Sequence, residues 1–185
     1  LDVAATEFYK NKKYKLSSNN TSYTSSAMVD YLKTLRNKYP IFSIEDGLAE
    51  DDWNGWTYLS EQLCNNTFIV GDDLFVTNKN RLVKGIELKA ANSILIKLNQ
   101  IGTLTETLDT INLAKRNNYH TIISHRSGET EDNFISDLAI SSNAMFLKSG
   151  SITRSERCAK YNRLILLESI NKNLVYSGIE LNEKI

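Results

Sequence analysis

The sequence predicts an α/β fold: six βα units of a (β/α)8 barrel, held incompletely by this chain. Three observations predict it. Short apolar runs recur along the chain, amphipathic helical patterns separate them, and each run ends on a residue able to carry chemistry. Composition agrees, since 185 residues that are 41% hydrophobic and 24% charged suffice for one core. Lys plus Arg equals Asp plus Glu, so nothing in the charge balance suggests direct binding to nucleic acid or to a membrane surface. No apolar run approaches the roughly 20 residues that span a bilayer. The N-terminal stretch shows no signal-peptide pattern. Cys64 and Cys158 lack metal-ligand spacing and suit a reducing cytosol, so a cytoplasmic location is expected.

The apolar runs come in order. "LDVA" opens the chain at 1–4 and "IFSIED" follows at 41–46. "FIVGDD" lies at 68–73, "SILIKLN" at 93–99, "TIISHRS" at 121–127 and "AMFLKSGS" at 144–151. Runs this short and rich in Ile, Val, Phe and Leu suit buried parallel strands. Between the first two, residues 10–26 are rich in Lys, Asn and Ser and read as a surface loop. "SSAMVDYLKTLRNKYP" then places Met28, Val29, Leu32 and Leu35 on one helical face, ended by Pro40. "DDWNGWTYLSEQL" spaces Trp53, Trp56, Leu59 and Leu63 helically, with Asp51 or Asp52 as N-cap. Asn78 can cap a helix carrying Leu82, Val83 and Ile86, and Thr103 with Glu106 makes a capping box ahead of Leu108 and Ile111. Two further helices are expected at 131–142 and 154–169.

The residues ending the six runs are Asp2, Glu45, Asp72, Lys97, His125 and Lys148, separated by 43, 27, 25, 28 and 23 residues. A (β/α)8 barrel spends about 30 residues per unit and does its chemistry at the C-terminal strand ends. Six units are visible, so two strands and whatever precedes them are expected to be missing. Three carboxylates on consecutive strands repel one another unless a cation joins them, and hard oxygen ligands without His or Cys suit Mg²⁺. Lys97 beside such an ion would have a lowered pKa and could remove a proton as the neutral amine. His125, Arg126, Ser127 and Lys148 form a cationic, donor-rich set suited to an anion with phosphate or carboxylate groups. Of the Asp72–Asp73 pair, strand alternation sends one side chain to the mouth and the other to the loop, without saying which.

At these residues the sequence resembles the enolase family. "SIEDGLAEDDW", "VGDDLFVTN", "SILIKLNQIGTLTET", "SHRSGETED" and "RSERCAKYNRL" resemble enolase signatures in order and spacing, from Leu1 to about Glu168. "IEDGL" and "GDDLFVTN" look bacterial in type. The resemblance implies the C-terminal barrel portion of a phosphopyruvate hydratase, a lyase interconverting 2-phosphoglycerate and phosphoenolpyruvate with two Mg²⁺ per active site. It implies Asp2, Glu45 and Asp72 as ligands of one Mg²⁺, with Asp72 the mouth-facing member of its pair. Lys97 would take the proton from C2. Metal plus lysine base is the established pattern of that superfamily and enters here as such. His125, Arg126 and Ser127 would hold substrate, the last two through its phosphate, and Lys148 would meet its carboxylate end.

The family further implies a homodimer or dimer-based oligomer in the complete enzyme, and a cell-surface or secreted fraction by analogy. The family's N-terminal α+β domain, first two barrel strands and general-acid glutamate have no counterpart in residues 1–185, so the isolated chain is expected to be inactive. A second reading is a non-catalytic enolase remnant acting as a binding or interaction protein. Ser149 stands where the family commonly has Thr. His120, Trp53, Trp56, Cys64, Cys158, Asp73, Glu129 and Glu131 read as structural, cap or loop residues.

Overall fold

The structure, a computed structural model, describes residues 1–16 and 21–176. The chain divides into two compact units, Leu1–His120 and Thr121–Ile185.

In the first unit, "LDVA" does not form the expected full strand. It makes one parallel bridge, Asp2 to Glu45, with Val3 N–H donating to the Glu45 carbonyl (2.9 Å) and Glu45 N–H to that of Leu1 (2.8 Å). Ala4 then leaves extended backbone (φ 46°) and the chain enters a 3₁₀ turn, Ala5–Phe8, where one more bond, Ala5 N–H to the Asp46 carbonyl (3.1 Å), ties it to the same segment. The expected loop across 10–26 is also corrected. β1 (Tyr9–Lys10), β2 (Lys13–Leu16) and β3 (Thr21–Tyr23) form an antiparallel sheet; 17–20 lie outside the described residues. Tyrosines overrule the Lys/Asn/Ser composition. Tyr14 is wholly buried, its ring 4.5 Å from that of Tyr9, and its hydroxyl donates to Asp52 (2.6 Å) while accepting from Ala49 N–H (3.0 Å).

Helices and parallel strands then alternate, as the sequence predicts: α1 (Ser25–Lys38), β4 (Ser43–Glu45), α2 (Trp53–Leu63), β5 (Phe68–Gly71), α3 (Lys79–Leu88), β6 (Ser93–Ile96), a one-turn α4 (Leu98–Ile101) and α5 (Leu104–Arg116). The expected caps close three helices. Asp52 accepts from Gly55 N–H, Asn78 from Asn80 and Arg81 N–H, and Thr103 from Glu106 N–H. Met28, Val29 and Leu32 of α1, Trp56 and Leu59 of α2, Leu82 of α3 and Ile111 of α5 are buried. Val83 and Leu108, expected on the same faces, are exposed. Trp56 satisfies its indole N–H on the Ala49 carbonyl (3.0 Å), and Trp53 lies under Lys84 and Arg81. The parallel register pairs Glu45 with Val70, and Val70 with Ser93.

In the second unit, β7 (His120–Ser124) pairs in parallel with β8 (Phe146–Lys148), Ser124 opposite Lys148. Helix α6 (Phe134–Ser141) packs on α7 (Ser155–Ile170), fastened by a bidentate Arg163–Asp137 pair (2.9 and 2.6 Å) and by the Ser136 hydroxyl on the Lys160 carbonyl (2.9 Å). Both helices start and stop within a few residues of the expected bounds.

Candidate functional site

Parallel register decides which side chains share a face. Asp2 is bridged to Glu45, Glu45 is paired with Val70, and Asp72 stands two residues past Val70. Ser93 is paired with Val70, and Lys97 stands four residues past Ser93. Asp2 and Glu45 are thus bridged to each other, and Asp72 and Lys97 stand just past the C-terminal ends of the next two strands, Phe68–Gly71 and Ser93–Ile96. Contacts agree: Lys97 Nζ forms an ion pair with Asp72 Oδ2, both side chains largely buried. Lys97 is also held by its backbone, whose N–H donates to Thr77 Oγ1 (2.9 Å). Thr77, wholly buried at φ 55°, donates that hydroxyl to Gln100 Oε1 (3.1 Å).

Asp72 and Asp73 do not diverge as strand alternation predicts. The strand ends at Gly71 and the chain turns, bringing carboxylate oxygens of Asp46, Asp72 and Asp73 all within 4.8 Å of one another. Asp46 is the buttress. It sits at φ 44°, in left-handed backbone that Asp tolerates better than most residues, and its two oxygens accept the N–H groups of Asp72 and Asp73 (2.9 Å each). Burial, then the charges of Asp72 and Asp73, push its pKa up to about 7 against the lowering effect of those two N–H donors. Asp73 is raised too, by burial and by Asp72, with smaller effects from Asp2 and Glu7 and an opposing one from Lys97. Asp2 therefore belongs to the same electrostatic cluster.

The donor set fits a hard divalent cation. It is all oxygen, it is crowded with like charge, and Asp72 Oδ1 is buried with no hydrogen-bond partner while Oδ2 serves Lys97. Both Asp46 oxygens already cap backbone N–H groups, whereas Asp72 Oδ1 accepts no hydrogen bond.

The second unit gathers the other expected residues. His125 N–H donates to the Lys148 carbonyl (2.9 Å), setting the two side by side. The loop beyond is tied to α7. Arg157 Nη1 donates to His125 Nδ1 (2.6 Å) and to the Arg126 carbonyl (2.8 Å), and Nη2 to that of Ser127 (3.0 Å). Glu129 accepts from Arg126 N–H (2.9 Å) and pairs with Lys160 (2.5 Å). Lys160, 1% exposed, also donates to the carbonyls of Thr130 (2.6 Å) and Glu156 (2.7 Å). Burial opposes ionisation of Glu129, but Lys160 and the Arg126 N–H outweigh it and hold its carboxyl below the usual range. Arg126 and Ser127 thus sit on a backbone anchored from behind.

Asp46, Thr77, Arg157 and Lys160 were not singled out from the sequence. A signal existed for the last two: they stand three apart within "RSERCAKYNRL", on the same helical face as Tyr161 and Leu164. Asp46 gave none, because a turn Asp before Gly is commonplace. His120 stacks edge-on against Phe68 (4.9 Å between ring centres), as a structural residue would.

Residues 1–185 match the family model described as enolase, C-terminal TIM barrel domain. With parallel βα units and an acidic cluster meeting a lysine at the strand ends, the chain belongs to the enolase family and corresponds to its C-terminal barrel domain.

Proposed function

We propose that this domain carries the metal site and the proton-abstracting base of a phosphopyruvate hydratase, a glycolytic lyase that interconverts 2-phosphoglycerate and phosphoenolpyruvate. The observation that carries the reading is the buried Lys97–Asp72 pair, with Asp2 bridged to Glu45, which is itself paired with Val70 two residues before Asp72. Asp2, Glu45 and Asp72 would hold one of two Mg²⁺ ions. When bound, Mg²⁺ offsets the mutual repulsion of the carboxylates and steadies negative charge developing on the substrate's carboxylate.

Lys97 removes the proton from C2. It must be neutral to do so, and its Nζ lies against Asp72 Oδ2 at the strand ends. Thr77 holds the lysine's backbone N–H at the strand end. His125, Arg126 and Ser127 bind the phosphorylated end of the substrate and Lys148 its carboxylate. A cytoplasmic, dimeric complete enzyme is part of the same reading.

The test is Mg²⁺-dependent turnover of 2-phosphoglycerate by the protein as its cell makes it, read as phosphoenolpyruvate absorbance. Lys97→Ala should lower turnover by about 10²–10⁴-fold, the usual contribution of a positioned general base. Equal turnover in both proteins removes Lys97 from that role.

A further inference from the structure

We infer that Arg157 is a positioning residue: it fixes His125 as the neutral Nε2–H tautomer and holds the 125–127 backbone in a single conformation. One guanidinium reaches three acceptors in succession, His125 Nδ1, the Arg126 carbonyl and the Ser127 carbonyl, at 2.6, 2.8 and 3.0 Å. Arginine has five N–H donors, no acceptor, and does not deprotonate in proteins. His125 Nδ1 must therefore receive this bond on its lone pair, and a neutral imidazole with a bare Nδ1 carries its proton on Nε2. A doubly protonated ring would turn one N–H against another, so the same contact disfavours the imidazolium.

The charges around the ring act in the same direction. Among the described residues, Arg157 and Lys160 act on it from α7 and Lys148 from β8, and Glu129, from the loop, opposes them. Burial comes first and Arg157 next in holding the imidazole below its ordinary pKa, with Glu129 opposing and Lys148 and Lys160 adding smaller effects. The approach is close enough to need glycine at 150. Gly150 has φ 81°, and a Cβ there would lie 3.1 Å from both the His125 ring and Arg157 Cδ. His125 then offers a bound anion a neutral donor, while positive charge comes from Arg126 and Lys148. That consequence rests on the proposed function; the tautomer does not.

The experiment is long-range ¹H–¹⁵N spectroscopy of the imidazole nitrogens through a pH titration of the ¹⁵N-labelled chain. The chain has two histidines, so His120→Gln assigns the spectrum. The inference expects His125 Nδ1 to resonate as a lone-pair nitrogen and Nε2 as an N–H nitrogen, with a midpoint below that of an ordinary histidine. Arg157→Met should lose the tautomer preference and raise the midpoint. Arg157→Lys should keep the midpoint low through its charge but move the Arg126 and Ser127 amide signals, because one ammonium cannot span three acceptors. A wild-type proton on Nδ1 overturns the inference even if Arg157→Met fails to fold, and so does an Arg157→Met spectrum with unchanged tautomer and midpoint. Absence of 2-phosphoglycerate turnover with the wild-type tautomer as expected would remove the proposed reaction and leave this inference standing.

Discussion

Asp46 and Glu129 are both loop-side carboxylates at strand ends, yet the protein shifts them in opposite directions. Asp46 is raised to about 7 because burial and two neighbouring aspartates outweigh its hydrogen bonds. It holds a proton in the folded protein that it would release when unfolded. Its contribution to stability is therefore present below about pH 4 and is lost as pH rises through 7. Glu129 is lowered, so its contribution is present above its ordinary range and is lost as pH falls through the depressed value. Urea midpoints measured against pH in metal-free protein should separate the two. Asp46→Asn should flatten the slope between pH 4 and 7, and Glu129→Gln should flatten the acid limb below pH 4.5. An Asp46→Asn slope equal to wild type would mean that Asp46 is ionised throughout.

At the scale of the element, the turn after β5 depends on one ring. Phe75 is wholly buried and fills the space beside Gly71 and Gly85; a Cβ at either glycine would collide with it. Gly85→Ala in α3 should therefore destabilise by about 1–3 kcal/mol through overpacking, although alanine is the better helix former. A gain in thermal stability on that substitution would show that Phe75 can move aside. The N-cap of the same helix is a separate contribution. Asn78→Ala removes an acceptor shared by two backbone N–H groups and should cost about 1 kcal/mol by urea unfolding. Since α3 follows directly on the turn that holds Asp72, Asp73 and Thr77, loosening either end should be felt at Lys97.

For the whole molecule, the sequence was most legible where pattern and physics coincide. Apolar runs became β4 to β8, Asp52, Asn78 and Thr103 became caps, and the polar strand-end residues of each unit came to the ends of their strands. It was least legible where a few buried contacts overrule composition. Tyr14 turns a Lys- and Asn-rich stretch into a sheet, left-handed Ala4 cuts the first strand to a bridge, and left-handed Asp46 makes a buttress of an ordinary turn residue. Buried Lys160 and thrice-bonded Arg157 had helical spacing but no visible target until β7 and its loop were placed beside α7. No helix among the described residues is long and apolar enough to cross a membrane.

The central claim is that the carboxylate cluster at the strand ends is built around Asp72 to hold a divalent cation next to Lys97. Binding of Mn²⁺, as a paramagnetic stand-in for Mg²⁺, can be followed by the loss of free-ion signal in electron paramagnetic resonance. The account predicts saturable binding, displaced by Mg²⁺ and weakened at least about tenfold in Asp72→Asn. Equal Mn²⁺ affinity in wild type and Asp72→Asn, or binding that never saturates, would contradict it.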